Sequence, residues 1–160
     1  MSRVKSQSFI VDADAWISAF EHRYPPDVFA RLWDLIRDYA IQEVIRTPRQ
    51  ALNETGDGKK GVSAWLRIVQ PSVVLRETPR VVTDMNRVVA KFPTLTRGIE
   101  DSADPWLVAH ALNITGSVVV TEEKPSHGGR PKVPDVCDAF DVEHINVLQM
   151  FRRLTVKWVK

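Results

Sequence analysis

Short apolar runs rich in β-branched residues alternate along this chain with longer stretches whose apolar positions recur at helical spacing. The runs are Phe9-Ile10-Val11, "EVIR" ending at Arg46, "SVVL" from Ser72, "SVVVT" from Ser117 and "HIN" from His144. Strands without polar alternation suit a sheet covered on both faces, and strands separated by helices pair in parallel through crossovers. The pattern predicts a three-layer α/β/α sandwich with a largely parallel central sheet. At 160 residues, with no internal repeat or interdomain linker, the expectation is a single domain over 1–160.

The helices have readable starts and faces. Trp16, Ile17 and Phe20 follow the first run at helical spacing. In "YPPDVFARLWDLIRDYAI", the residues Val28, Phe29, Leu32, Leu35, Ile36, Tyr39 and Ala40 form one stripe behind a candidate cap, Asp27. Thr47 and Gln50 have capping-box spacing with Pro48 at the first helical position, which puts Glu54 two turns inside that helix. The turn Gly56 to Gly61 leads into a short helix carrying Val62, Trp65, Leu66 and Val69. Thr78-Pro79 opens another that ends before Pro93, and a further one runs from near Ser102 to Asn113–Gly116. "VPDVCDAF" and "VLQMFRRL" predict the last two helices, before a basic tail from Val156 to Lys160.

Composition excludes several classes. The lone Cys137 cannot form an internal disulfide, which fits a reducing, cytoplasmic setting, and with four scattered histidines it leaves no zinc-finger spacing. The longest stretch free of Asp, Glu, Lys and Arg, Pro105 to Thr121, contains His110, Asn113 and Gly116, so neither a membrane span nor a secretory leader is expected. A net charge of +2, from 22 basic and 20 acidic residues, neither demands nor excludes a nucleic-acid partner.

The chemistry lies in the carboxylates. Asp12 and Asp14 follow the first strand, and residues two apart on extended backbone point the same way, so the pair either holds a cation or supplies a cap for the next helix. Glu122 and Glu123 follow "SVVVT" and should share that edge of the sheet. Asp104 begins the helix feeding this strand, where the macrodipole alone would stabilise it, and Glu54 could lean in or remain a solvated helix residue. Four to six bare carboxylates in one cleft repel, and hard oxygen donors select Mg²⁺ or Mn²⁺, as one or two ions. Lys59, Lys60, Lys124, Arg130 and Lys132 flank loops that could meet a phosphate backbone, although solvation is the commoner fate of such charges. Asp135 reads as a helix-terminal residue. Trp16, Trp33, Trp65 and Trp106 read as core or interface residues.

This constellation resembles the PIN-domain family, the metal-dependent ribonuclease fold of VapC-like toxins, over most of the chain. "FIVDADAW" is similar to the family's opening strand and points to Asp12, "ALNET" to Glu54, "ADPWLVAHAL" to Asp104, and "VVVTEE" to Glu123 with Glu122 as neighbour. "VVVTEEK…KVPDVC" further resembles a PIN-like subfamily catalogued chiefly as a domain of unknown function. Ala13 and Asp14 stand where the family commonly has a small hydroxyl residue and then Asn or Ser, and Glu123 stands in place of a more usual Asp. The resemblance implies hydrolysis of RNA phosphodiester bonds, with Asp12, Asp104 and Glu123 on the main metal and Glu54 and Asp14 completing the site or positioning water. It also implies a toxin restrained by a cognate antitoxin over the acidic cleft, and self-association as a homodimer. Two alternatives stand beside it. One is a non-catalytic PIN-like module that binds RNA or protein. The other is a haloacid-dehalogenase-like phosphatase, which opens with D-x-D but prefers Thr or Val where this chain has Trp16, and which has no evident later Lys here.

Overall fold

The structure, a computed structural model, describes residues 7–69, 71–96 and 102–158, with side chains in the closing helix up to Leu154. The expected tail from Val156 is corrected in part, since the closing helix runs on through Trp158, while the side chain of Trp158 and residues 159–160 lie outside that description. Five strands form one all-parallel sheet: β1 (Ser8–Val11), β2 (Ile45–Pro48), β3 (Val74–Leu75), β4 (Ser117–Val120) and β5 (His144–Ile145), in the order β3-β2-β1-β4-β5. From β1 the chain winds outward to β2 and β3, then returns to the opposite side of β1 for β4 and β5. The direction reverses between β1 and β4, the place where open α/β sheets form ligand crevices.

Among the described residues eight α-helices cover the sheet: α1 (Ala13–Ile17), α2 (Ala30–Ile41), α3 (Arg49–Glu54), α4 (Gly61–Val69), α5 (Pro79–Lys91), α6 (Ala103–Asn113), α7 (Val133–Ala139) and α8 (Val147–Trp158). Phe9 and Val11 of β1 and Val118 and Val120 of β4 face a core built with Trp33 and Ile36 of α2, Leu66 of α4 and Met150 and Leu154 of α8. Ile10 and Val119, between them in sequence, face a second core with Val88 of α5, Leu107 and Val108 of α6 and Val136 of α7. Period-two alternation thus sends neighbouring residues into opposite layers, both apolar, which is why the strands read as unbroken hydrophobic runs. The three-layer sandwich expected from the sequence is the observed architecture. Trp16, Trp33, Trp65 and Phe20 meet within it, with ring centroids 4.7 to 6.4 Å apart.

Three local expectations are corrected. Helix α2 starts at Ala30, with no side-chain cap from Asp27, because the Val28 and Phe29 amides both donate to the Pro25 carbonyl in a turn. Val28 consequently stands 69% exposed instead of joining the buried stripe. Thr47 caps no helix: β2 continues through Pro48, the Thr47 amide donates to Val73, and its hydroxyl donates to the Val11 carbonyl at 2.7 Å. Helix α3 therefore begins at Arg49 and is short, so Glu54 is its last residue instead of lying two turns inside. By contrast Thr78 caps α5 as expected, accepting from the Val81 amide, with Pro79 opening the helix.

Candidate metal centre

Parallel pairing of β1 with β4 sets Val11 opposite Val120, so the residues that follow each strand emerge side by side. The Asp12 amide continues the ladder by donating to the Val120 carbonyl at 2.9 Å. Its backbone then stays extended and the chain turns into α1, with Oδ1 accepting from the Ala13 amide at 2.7 Å. Asp12 is both a helix cap and the floor of the crevice, and only 3% of it is exposed. From β4, the buried Thr121 hydroxyl donates to Asp12 Oδ2 at 3.2 Å and accepts from the Glu123 amide at 3.2 Å. One hydroxyl therefore fixes the second Asp12 oxygen and the backbone that carries Glu123.

Three short side chains let the helices converge here. Ala13 of α1, Ala51 of α3 and Ala103 of α6 pack together and are buried, which brings these helices close at the crevice. Asp14 follows Ala13, Asp104 follows Ala103, and Glu54 lies one turn beyond Ala51. Carboxylate oxygens of Asp12, Asp14 and Glu123 lie within 4.8 Å of one another. Glu54 Oε1 accepts from the Ala103 amide at 2.9 Å, and Glu123 Oε2 accepts from the Val133 amide at the start of α7, also at 2.9 Å. Asp104 and Glu123 line a cleft of about 510 Å³ with Glu54, Ser102, Arg130 and Lys132.

Electrostatics records the crowding. Burial, followed by the charges of Asp14, Asp104 and Glu123, holds the Asp12 carboxyl well above the usual carboxylate range. Burial and then Glu123, Glu54 and Asp14 push Asp104 up to about 7, with Arg130 acting in the opposite direction. Loss of water raises Glu54 as well, against the lowering effect of the Ala103 amide. A hydrogen bond between the Asp12 and Asp14 carboxyls adds to the rise of Asp12, and Asp14 Oδ1 is buried with no hydrogen-bond partner among the described residues. A buried carboxylate oxygen without a donor is costly, and a crowd of acids with an orphaned oxygen suits a hard divalent cation. Asp12, Asp14 and Glu123 fit such an ion, with Asp104 beside them.

Glu122 does not join this group. Adjacent residues on extended backbone diverge, and its carboxylate accepts from the Val147 amide at the start of α8 and pairs with Arg23 at 3.4 Å. Asp135, read as a helix-terminal residue, accepts from the Lys132 and Ser126 amides and closes the turn before α7. Of the candidate cations, Arg130 and Lys132 lie on the cleft, and Arg130 is anchored by donating to the Leu95 carbonyl at 3.2 Å. Lys59 pairs with Asp57 at 3.8 Å in the loop before α4, and Lys60 and Lys124 are exposed away from the residues lining the cleft. Thr121 was not legible as a site residue, since threonine in a β-branched run reads as an ordinary strand former. Its one signal is being the polar end of an otherwise apolar run.

Among the described residues no helix is long and apolar enough to cross a membrane. No curated protein matches the sequence. A family model described as a domain of unknown function (DUF4411) matches residues 9–158, from β1 through α8 with every acid described above, and the chain belongs to that family.

Proposed function

We propose that the protein is a metal-dependent ribonuclease whose acids at the β1/β4 crevice hold Mg²⁺ or Mn²⁺. The observation that carries this reading is the convergence of Asp12, Asp14 and Glu123 within 4.8 Å, with Asp104 and Glu123 on the wall of one cleft. Held there, one or two such ions would polarise the phosphodiester and make water a stronger nucleophile. The chain's own groups divide the remaining work. Thr121 keeps Asp12 Oδ2 oriented and Glu123 in place. Asp104, held at about 7 by the crowded acids when no ion is present, would give up its proton once a cation offsets that repulsion, leaving a carboxylate beside the ion that can orient water. Glu54, fixed by the Ala103 amide, closes the far side of the cleft. Arg130 and Lys132 stand where the phosphates of a bound strand would pass.

The resemblance to PIN domains is what selects RNA among phosphodiesters, and it extends the proposal to a toxin held by an antitoxin over the cleft. The phosphatase alternative is disfavoured by Asp12 itself. A nucleophilic aspartate needs an oxygen free to attack, whereas Oδ1 caps α1, Oδ2 accepts from Thr121, and the residue is almost wholly buried.

The test is incubation of a mixed tRNA, rRNA and mRNA panel with Mn²⁺ or Mg²⁺, comparing wild type with Asp12→Asn and Asp104→Asn and adding EDTA controls. Cleavage by wild type, absent with EDTA and in both folded variants, is the expected result. Metal binding with no cleavage of any RNA would instead favour a binding module.

A further inference from the structure

A second cavity lies at the other end of α6, between that helix, the start of α5, β2 and the edge strand β3. It measures about 620 Å³, within the roughly 300 to 1,000 Å³ usual for small-molecule sites, and shares no lining residue with the acidic cleft. Its charge is of the opposite sign. Arg46, Arg76 and Arg80 line it, and among the described residues Glu43 is the one acid on its wall. Elsewhere the arginines tend to find acids: Arg49 meets Glu77, Arg23 meets Glu122 and Arg153 meets Glu143. Among the described residues none of the three cavity arginines forms an ion pair. Glu77, close enough to influence His110, already accepts from Arg49 and Gln50.

Two polar groups within the wall are left incomplete. His110, on the α6 side, is 2% exposed and its Nε2 has no hydrogen-bond partner. Nε of Arg46 is likewise buried and unpartnered. Both can donate, and a buried donor without an acceptor is costly to keep. Burial lowers His110 to about 4, so the ring is neutral at physiological pH and can offer a single N–H from Nε2. The N-terminus of α5 reaches the wall at Thr78, Arg80 and Val81, but the C-terminus of α6 reaches it at Asn113 and Ile114, so the two helix ends offset one another and the arginines set the sign of the charge. The wall also includes Val74, Leu75 and Val81, an apolar side for whatever carries the charge.

We infer that this cavity binds a phosphate group, with Arg46 and His110 donating from its floor and Arg76 and Arg80 from its mouth. Planar guanidinium groups match phosphate oxygens two at a time, and the convergence of three with a buried imidazole gives an oxyanion the acceptors' share of every incomplete pair. The phosphate could belong to a free phosphomonoester such as a nucleotide or to the backbone of an RNA strand.

The decisive experiment titrates the EDTA-treated protein with inorganic phosphate, with a nucleoside 5′-monophosphate and with a short 5′-hydroxyl oligoribonucleotide, following ³¹P line broadening and thermal stability. Saturable binding and a rise in Tm are expected for wild type. Arg76→Gln and Arg80→Gln, both at exposed positions and compatible with folding, should each weaken binding roughly tenfold or more. Arg46→Gln and His110→Gln should weaken it further, while Arg87→Gln, whose partner is Asp84, should leave it unchanged. Preference for the monophosphate assigns a free phosphomonoester; preference for the oligonucleotide, lost in the same variants, assigns an RNA phosphate. No saturable binding of any of the three probes, or binding that Arg76→Gln and Arg80→Gln leave intact, overturns the inference.

Discussion

Thr121 shows how much of the site rests on one small side chain. Its hydroxyl connects Asp12 Oδ2 to the Glu123 amide, so Thr121→Val keeps the shape and removes the connection. We expect a loss of about 1 to 3 kcal/mol in urea denaturation, from the buried Asp12 Oδ2 and the half-buried Glu123 amide left without their partner. Mn²⁺ affinity should fall about 10- to 100-fold in calorimetric titration, the usual scale for losing a group that orients a metal ligand. Asp104 makes a separate prediction in pH. Its folded pKa is raised to about 7, so between its ordinary range and 7 the folded state holds a proton that the unfolded chain has released. In the metal-free protein this lowers stability as pH rises through that window, and the penalty is complete above it. Asp104→Asn in EDTA should therefore melt higher than wild type at pH 8, by on the order of 2 kcal/mol after allowing for solvent screening, and the difference should vanish near pH 4. With Mn²⁺ the order should reverse, because only wild type gains full metal stabilisation as its acids deprotonate. Equal melting of the two proteins in EDTA at pH 8 would contradict the crowding argument. At this scale the sequence exposed Asp12, Asp104 and Glu123, each beside a legible strand or helix end. Strand position alone did not separate Glu122 from Glu123, since which of two adjacent acids faces the crevice depends on the twist after β4; only the resemblance pointed to Glu123, with Glu122 as its neighbour.

Among the elements, those with strong periodic signals were readable and those decided by a neighbour were not. β1, β4, α5 and α6 follow from apolar runs and from the Thr78 cap, information carried within each segment. Thr47 had two possible uses, as cap or as strand, and pairing with β3 together with the Val11 carbonyl decided between them. Likewise the double proline before Asp27 closed a turn that kept Val28 and Phe29 out of α2. The meeting of Ala13, Ala51 and Ala103 was invisible in sequence, because three alanines on three helices carry no joint pattern until the fold brings them together. It nevertheless controls how closely α1, α3 and α6 approach. Ala51 is wholly buried, so Ala51→Val should cost about 1 to 3 kcal/mol by overpacking and should displace α3 from α6. The Glu54 to Ala103 contact would then loosen while the contacts of Asp12 with Ala13 and Thr121 remain. Denaturant curves should show the stability loss, and Mn²⁺ binding should weaken less than in Thr121→Val. A loss of metal affinity larger than that of Thr121→Val would place Glu54 nearer the ion than its position at the cleft rim suggests.

For the whole molecule, net charge conceals the arrangement that matters. A balance of +2 arises from a chain that concentrates acids at the β1/β4 crevice, sets Arg130 and Lys132 on its wall, and gathers around a different cavity three arginines with no ion pair among the described residues. The sheet order explains the separation. The reversal beside β1 brings Asp12 and Glu123 together from residues far apart in sequence, whereas the arginine cavity lies on the β2/β3 side. If RNA occupies the acidic cleft, its phosphates are attracted there by the two cations against the repulsion of the acids, so binding should depend on salt through those cations. For a single strand each neutralised phosphate contributes about 0.7 to the slope of log K against log salt. Arg130→Gln with Lys132→Gln should reduce the slope by about 1.4, measured by fluorescence anisotropy with Asp12→Asn as background to prevent cleavage. Lys59→Gln with Lys60→Gln should change it far less, because Lys59 already pairs with Asp57 and neither residue lines the cleft. The opposite ranking would move the strand's path to the loop before α4 and away from the wall formed by Arg130 and Lys132.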